Sequence, residues 1–178
     1  KHFEPFPDTT TYVLTDSWYS SQDMLKLCDQ RGFKYIGAVK PNRKFKLSEH
    51  NLQVRQWSQS IPGSAFVRVK VKGIRYKMWS ALGNLSSGHR VKILFNKRIG
   101  HKTWHYLIST DLDLSPQTLW RFYLARWQAQ NFYRAAKQNF GWGDYQMRQL
   151  VAIERHVLLM MVAHAFAELQ RHDALEQA

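Results

Sequence analysis

Cationic side chains at every second position of the run 66–72 are the residues of this sequence best placed to bind a charged ligand. Arg68, Lys70 and Lys72 alternate there with valines, and a period of two is typical of a strand with one buried and one solvent-facing side. The solvent-facing side is then entirely cationic. Such a strand suits phosphates, which succeed one another at roughly 1.7 Å per charge along a duplex.

The alternation continues beyond Gly73, where Arg75 and Lys77 again occupy every second position. Because glycine commonly separates two strands at a turn, the two runs predict a hairpin. Two further alternating runs, 90–96 and 104–109, predict additional strands. We therefore expect a small antiparallel sheet with a basic surface.

Basic charge is concentrated in the middle of the chain. Residues 31–104 hold 17 of the 26 Lys and Arg but only one of the 13 Asp and Glu, Glu49, in a chain of formal net charge +13. A concentrated field of this kind suits a polyanion. The alternative is a basic surface that is merely solvated.

Several other classes of protein are disfavoured by composition. Cys28 is the one cysteine, so a disulfide framework and a cysteine-based zinc site are excluded. No apolar run reaches the roughly 20 residues that cross a bilayer. The chain begins at Lys1 without a signal peptide, and we expect it to be a fragment of a longer protein.

Asp16 is the acid with the most informative position. The segment 12–39 predicts a strand, a helix capped by Ser20 or Ser21 and stopped by Gly32, and a second strand, which is an α/β unit. Asp16 follows the first strand, and open α/β sheets place functional groups at the carboxyl ends of strands. The alternative is that Asp16 only leads into the helix or forms a turn.

Two helices are predicted after the basic segment. Ser115-Pro116 is a typical helix start, and the helix is expected to run to Phe140, before Gly141. A polar row falls within roughly 60° of its surface, formed by Tyr123, Arg126, Gln130 and Lys137. A last helix, about 146–170, has apolar residues at i, i+3 and i+4 spacing and is expected to be core.

Four motifs, taken in order, resemble bacterial insertion-sequence transposases of the DDE superfamily, in the group with a β-rich insertion and a Tyr-Arg-Glu-Lys signature. The motifs are Leu-Thr-Asp-Ser-Trp-Tyr-Ser at 14–20, Tyr-Ile-Gly at 35–37, Tyr-Leu-Ile-Ser-Thr-Asp at 106–111, and the signature segment at 123–138. The resemblance extends from about residue 12 to about residue 155.

The resemblance implies an α/β (α+β) fold: a ribonuclease-H-like transposase catalytic core, partial in this chain, with an inserted antiparallel β subdomain. Residues 1–178 would then be a single, partial catalytic domain. Within it, 40–110 would be the basic β-rich insertion and 115–170 the C-terminal helices.

The resemblance also implies site residues. Asp16 matches the family's second acid, a catalytic residue and metal ligand, and the family's glutamate position falls on Gln130. Tyr123, Arg126 and Lys137 match positions that contact DNA phosphates near the scissile bond. The remaining DNA-binding residues are expected on the basic hairpin: Arg68, Lys70, Lys72, Arg75 and Lys77. The implied cofactor is Mg²⁺ or Mn²⁺, bound more weakly because of Gln130.

The implied function is DNA transposition, with strand cleavage and transfer at transposon ends. We expect the isolated chain to be inactive, because Gln130 replaces the acid and no residue before Asp16 has a convincing setting for the family's first aspartate. Glu154 is a possible substitute acid. Gln130 could reflect engineered inactivation, a decaying element, or a lineage that kept binding without catalysis.

Two other functions stay open: a domesticated, non-catalytic DNA-binding protein derived from a transposase, and an unrelated RNA-binding module. The expected partners are DNA and a second copy of the chain on paired ends, in the bacterial cytoplasm at the nucleoid, with no membrane. Four tryptophans near the basic segment could stack on an unpaired base, although ordinary packing within the core or sheet is the commoner role of such a residue. They are Trp18, Trp57, Trp79 and Trp104.

Overall fold

A computed structural model describes residues 4–5, 7–47, 50–85, 87–144 and 146–176. Glu49, the acid of the basic segment, lies outside these ranges. The chain divides into two compact units, Lys1–Leu124 and Ala125–Ala178.

The first unit contains a mixed sheet of eight described strands. They are β1 (Tyr12–Thr15), β2 (Lys34–Ala38), β3 (Lys44–Leu47), β4 (His50–Gln53), β5 (Val67–Val71), β6 (Ile74–Asn84), β7 (Arg90–Arg98) and β8 (Trp104–Ser109). The order is β1-β2-β8-β7-β6-β3-β4, and β5 also pairs with β6. β1 is parallel to β2, and the other described pairs are antiparallel.

Helices lie on both faces of this sheet. They are α1 (Gln22–Gln30), α2 (Val54–Ser60) and α3 (Pro116–Ala125), with a 3₁₀ turn at Gly63–Ala65. One core cluster joins the sheet to α1 and α2, where Trp57 packs edge-on against Phe95 at 5.2 Å. The other joins it to α3, where Trp120 packs against Tyr76 at 5.6 Å. The middle strands are therefore buried on both sides.

The predicted strand–helix–strand unit is confirmed. Ser21 is the helix cap, and its hydroxyl accepts a hydrogen bond from the Met24 N–H at 3.1 Å. Gly32 follows the helix with a φ of +68°, which glycine adopts without strain. The first strand ends at Thr15, so Asp16 does follow a strand end.

The strands of the basic segment, β5 to β8, belong to the same sheet as β1 and β2 and do not form a separate sheet. β8 pairs with β2 in the register Ile36 opposite Ser109, Gly37 opposite Ile108 and Ala38 opposite Leu107. Ile36, Leu107 and Ile108 are fully buried. Strands that are apolar on both faces belong in the interior of a sheet, which explains why these two strands meet.

A buried hydroxyl group holds the loop between β1 and α1. The Tyr35 hydroxyl lies 2.5 Å from Thr15 Oγ1 and 2.8 Å from Ser20 Oγ, and Ser20 also donates to the Ala38 carbonyl. Burial raises the pKa of Tyr35, so its hydroxyl stays neutral. Gly37 makes room for it, since a Cβ there would overlap the Tyr35 hydroxyl and lie 2.8 Å from Ser20 Oγ.

The predicted basic hairpin exists, with two differences. Val71 is buried, but Val67 at the outer end of β5 is 63% exposed. Lys72 belongs to the turn and not to the strand. It has a φ of +46°, followed by Gly73 at +79°, because a two-residue hairpin turn that matches the strand twist needs positive φ at both positions.

The single helix predicted over 115–140 is wrong. Ser115 does cap its start, accepting from the Thr118 N–H at 3.1 Å, but α3 ends at Ala125 and a new helix begins at Trp127. The Ala129 N–H bonds to the Arg126 carbonyl three residues back, at 3.2 Å. This tighter turn interrupts the helical bonding, and no glycine or proline between 117 and 140 signals it.

The second unit holds α4 (Trp127–Asn139) and α5 (Leu150–Glu176). Phe132 of α4 packs against the ring of His164 at 4.9 Å and Trp142 at 5.9 Å. α4 ends before Gly141, whose φ is +65°. The Trp142 N–H donates to the Ala136 carbonyl at 3.0 Å beyond this turn.

The prediction that α5 is a core helix is wrong for most of its apolar residues. Met160 is buried, but large apolar side chains on several sides of the helix are exposed in this chain: Leu150, Val151, Leu158, Leu159, Met161, Val162, Phe166 and Leu169. The helix is apolar all round, so its periodicity does not select one buried face.

Leu150–Arg171 also meets the length and composition requirement for crossing a bilayer, contrary to the expectation that no run does. One such helix is weak evidence, because core helices of soluble proteins and signal sequences meet the same requirement.

Replacing Gly37 with alanine should destabilise the first unit by about 2 to 4 kcal/mol, because the new Cβ displaces the buried Tyr35 hydroxyl from its partners. Urea denaturation followed by circular dichroism measures the change. Gly63→Ala is the matched control, since a Cβ at Gly63 meets nothing within 4 Å. Equal stability of the two variants would show that the Tyr35 network does not depend on this glycine.

Replacing Lys72 with asparagine should stabilise the chain by about 0.5 to 1 kcal/mol, because asparagine tolerates the left-handed conformation of this turn better than lysine. Thermal unfolding gives the measurement. Lys70→Asn, at an extended position of β5, is the control and should not stabilise. A lower melting temperature for Lys72→Asn would contradict the assigned turn.

Candidate active site and nucleic-acid interface

Asp16 lies in a short loop whose geometry is set by hydrogen bonds. Its Oδ1 accepts from the Trp18 N–H at 2.9 Å. The Arg43 guanidinium donates to the Ser20 carbonyl at the other end of the loop, and Lys40 Nζ lies 4.7 Å from the centre of the Trp18 ring. One carboxylate and two cations therefore meet at this loop, and such a combination can bind a phosphate beside an acid.

The alternative prediction, that Asp16 forms a turn, is correct for one of its two carboxylate oxygens, Oδ1. That oxygen forms an Asx-type turn with Trp18. The turn uses only this oxygen, so it does not occupy Oδ2. The structural role orients the carboxylate and does not compete with a functional role.

The described residues lack the ligand cluster of a divalent metal site. No group of three His, Cys, Asp or Glu side chains comes together among the residues that the structure describes. Mg²⁺ and Mn²⁺ need several hard oxygen ligands in octahedral geometry. The described residues alone therefore do not form such a site.

Asp111, the acid that closes the third motif, does not join Asp16. It follows β8, which is antiparallel to β2. Asp111 therefore lies near the amino-terminal ends of β1 and β2, whereas Asp16 lies at the carboxyl end of β1. Oδ2 of Asp111 accepts from the Tyr12 hydroxyl at 2.5 Å. Burial, and then this hydrogen bond, raise the pKa of Tyr12 to about 12.

The basic hairpin arranges its cations in register. Arg68 lies opposite Lys77, and Lys70 lies opposite Arg75. The next strand adds Lys97 opposite Lys77. The four residues of β5 and β6 line an open cleft of about 420 Å³ together with Val69 and Ile99, and Lys72 lies at the tip in the turn.

These cations repel one another. Side chains at directly opposite positions have Cβ atoms about 4.5–5.5 Å apart, and like charges there are destabilising. Close contacts between basic and acidic side chains join His89 to Asp29 at 3.3 Å and Arg171 to Glu168 at 2.6 Å among the described residues, so neither contact neutralises the hairpin. The chain keeps a locally unfavourable charge arrangement that an anionic ligand would relieve.

The signature residues fall in different settings. Tyr123 is 7% exposed and stacks on Trp120 at 5.8 Å in the core beneath α3. Arg126 lies between α3 and α4, with its guanidinium carbon 5.6 Å from the Trp127 ring. Contact of these two side chains with DNA phosphates stays a prediction.

Gln130 and Lys137 are both exposed on α4, seven residues and hence two turns apart on one face. Glu154, the possible substitute acid, is exposed on α5. Asp16 belongs to the first unit and Gln130 to the second. Their convergence on a common pocket stays a prediction.

Sequence reasoning missed the residues that hold the Asp16 loop: Tyr35, Gly37, Arg43 and Lys40. Tyr35 and Gly37 did form a motif of the resemblance. A usable signal was their spacing of two on one strand, because it puts an aromatic ring beside a position that has no side chain. Lys97 was missed because the alternation within one strand does not show which residues of the neighbouring strand lie opposite it.

One comparison with known proteins identifies a family. No curated protein matches the chain. A family model described as "Transposase DDE domain" matches residues 3–166. DDE transposases act on DNA in transposition, typically use a divalent metal ion, and are generally soluble and cytoplasmic.

The mixed α/β sheet is consistent with the ribonuclease-H-like core of these enzymes. The family match confirms the resemblance to DDE transposases, while the Tyr-Arg-Glu-Lys signature stays a prediction. Because the match extends over nearly the whole sequence, the chain belongs to the transposase DDE domain family.

Proposed function

We propose that this chain binds the DNA ends of a transposable element through its basic hairpin and its Asp16 loop, and that in its present sequence it does not cleave DNA. The observation that carries the proposal is the in-register set of like charges on β5, β6 and β7. The family supports DNA as the partner.

The charge arrangement favours a phosphate backbone over a small anion. Strands lie about 4.8 Å apart, and alternate residues along a strand lie about 6.7 Å apart. Arg68, Lys70, Arg75, Lys77 and Lys97 thus form a grid and not a single point of charge. A grid can contact successive phosphates of one strand, and each contact releases condensed counterions.

The surface offers backbone contacts more readily than base readout. The cations lie on one face of a sheet that is packed against α3 on its other face, so the hairpin does not project as a free ribbon. Phosphate contacts fix position and carry no sequence information. We therefore expect binding by this face to depend weakly on DNA sequence.

Gln130 is the reason to expect no cleavage. Its amide offers one carbonyl oxygen but no negative charge, whereas two-metal phosphoryl transfer relies on several carboxylates around the ions. Asp16 is the one family acid assigned in this chain. A Mg²⁺ or Mn²⁺ site with Gln130 in place of the family's glutamate would consequently bind the ion weakly.

The same residue favours a second candidate, a domesticated DNA-binding protein without catalysis. In such a lineage the acid can be lost while the basic face is kept, and this chain combines Gln130 with an intact cationic hairpin. The two candidates differ in whether restoring the acid restores activity.

The double variant Lys70→Ala/Arg75→Ala should weaken binding to duplex DNA about ten-fold and lower the slope of log K against log salt by about 2, because two phosphate contacts are lost. Fluorescence anisotropy between about 50 and 200 mM salt measures both. Lys26→Ala/Lys34→Ala, which removes two exposed charges from α1 and β2, is the matched control. Equal effects of both pairs would place the interface elsewhere.

Gln130→Glu in the full-length protein should restore Mg²⁺-dependent nicking of a duplex carrying a transposon end, because the substitution returns the missing carboxylate. Gel analysis of end-labelled DNA detects the nick. Gln128→Glu adds the same charge to the same exposed helix and should not restore it. Absence of nicking in Gln130→Glu would favour the domesticated binding protein.

A further inference from the structure

Three polar side chains lie in series between the end of α1 and the turn that joins β6 to β7. Ser87 Oγ lies 2.8 Å from His89 Nδ1, and His89 Nε2 lies 3.3 Å from Asp29 Oδ2. Ser87 and His89 belong to the turn, and Asp29 is the last residue but one of α1. A hydroxyl, an imidazole and a carboxylate in this order are the groups of a base-activated nucleophile.

The carboxylate determines which nitrogen of the imidazole carries the proton. An ionised carboxylate only accepts hydrogen bonds, so His89 donates its Nε2–H to Asp29. In the neutral ring Nδ1 then has a free lone pair, and it accepts the hydrogen bond of the Ser87 hydroxyl. The imidazole is thus oriented to take the serine proton, as a general base does.

The turn is closed by its backbone and does not depend on these side-chain contacts. The Gly88 N–H donates to the Leu85 carbonyl at 2.9 Å, and the Leu85 N–H donates to the His89 carbonyl at 2.9 Å. Gly88 has a φ of +82°, which glycine adopts without strain. The backbone therefore holds Ser87 and His89 in place, and the side-chain series is additional to what the hairpin needs.

The surroundings leave room for a reagent to approach the turn. Ser87 is half-buried, and Gly88 beside it is exposed. A Cβ at Gly88 would meet nothing within 4 Å, so the space on this side of the turn is open. The His89 side chain is 20% exposed and that of Asp29 is 52% exposed, so the base is the better shielded of the two.

We propose that Ser87 is a nucleophile, activated by His89, that accepts the acyl group of an activated carboxylic ester. The Ser87 oxygen attacks the carbonyl carbon of the ester while its proton passes to His89 Nδ1. The bond from this carbon to the leaving oxygen then breaks, and the leaving oxygen keeps the electron pair and receives the proton from His89. The product is an acyl ester of Ser87 and a free alcohol or phenol.

Asp29 acts through His89 and is a positioning residue. Its carboxylate holds Nδ1 of the imidazole towards Ser87 and stabilises the positive charge that the ring gains during the transfer. An amide in its place would keep the size of the side chain but would lose the negative charge.

This site is separate from the surface proposed for DNA. The turn follows Asn84 at the end of β6, whereas the tip of the basic hairpin precedes Ile74 at the start of that strand. The strand has 11 residues, so the two ends lie roughly 30 Å apart. Substitutions at the turn should therefore leave the affinity for duplex DNA unchanged, and that affinity reports whether a variant is folded.

The probe for the test is p-nitrophenyl acetate. After incubation at neutral pH and quenching in acid, mass spectrometry of the digested natural chain should find an acetyl group on the peptide that contains Ser87. Neutral hydroxylamine should remove this group, because it cleaves esters of serine but not the amides formed on lysines. Ser87→Ala should yield no hydroxylamine-sensitive acetyl group on this peptide.

His89→Gln should lower the amount of ester on Ser87 about 100-fold, because the general base is lost. His101→Gln changes another exposed histidine of the first unit and is the matched control, which should leave the ester unchanged. Absence of the ester in the natural chain, or equal amounts in His89→Gln and the natural chain, would overturn the proposal.

A second pair of variants tests the positioning role without altering the turn. Asp29→Asn should lower the amount of ester, whereas Asp29→Glu should restore most of it because a carboxylate again faces the imidazole. A purely structural role of Asp29 would not distinguish the amide from the carboxylate in this way. Equal amounts of ester in these two variants would contradict the role assigned to Asp29 and, with it, the activated state of Ser87.

Discussion

The hydroxyl group of Tyr35 is the contact on which the arrangement of the first unit's candidate site depends. It bonds across β1 and β2 to Thr15 and to Ser20, and it can do so only because Gly37 has no side chain. Buried hydroxyls without partners cost roughly 1–3 kcal/mol, so the three groups hold one another in place. The direction of the Asp16 carboxylate and the exposure of Trp18 both follow from this brace.

Burial decides where charge can accumulate. The central residues of β7 and β8 are covered on both faces by helices, and the four cations of β7 lie near its two ends. The outer end of the β5–β6 hairpin lies beyond that cover, and its alternate positions carry Arg and Lys. A strongly basic field is thus compatible with a well-packed core, because the two occupy different parts of one sheet.

Local signals in the sequence predicted local structure well. Strict alternation located β5 over Val67–Val71, and the helix cap at Ser21 followed from residue type. Contacts between segments that are far apart in the sequence could not be predicted from such local patterns. The pairing of β2 with β8 joins segments about seventy residues apart, and the interruption at Arg126 leaves no glycine or proline in the sequence. The candidate site followed mainly from the motif resemblance, since neither charge pattern nor periodicity assigns a role to Gln130.

The pairing of β2 with β8 limits how such domains can diversify. A basic segment that formed its own sheet could be gained, lost or replaced in relatives without disturbing the rest of the domain. Here its last strand covers the edge of β2, and its removal would leave a row of bare amides and carbonyls beside the acid loop. Evolution can therefore vary the middle strands and their tips freely, but it must retain the closing strand, so shortened descendants of this architecture should still carry a counterpart of β8.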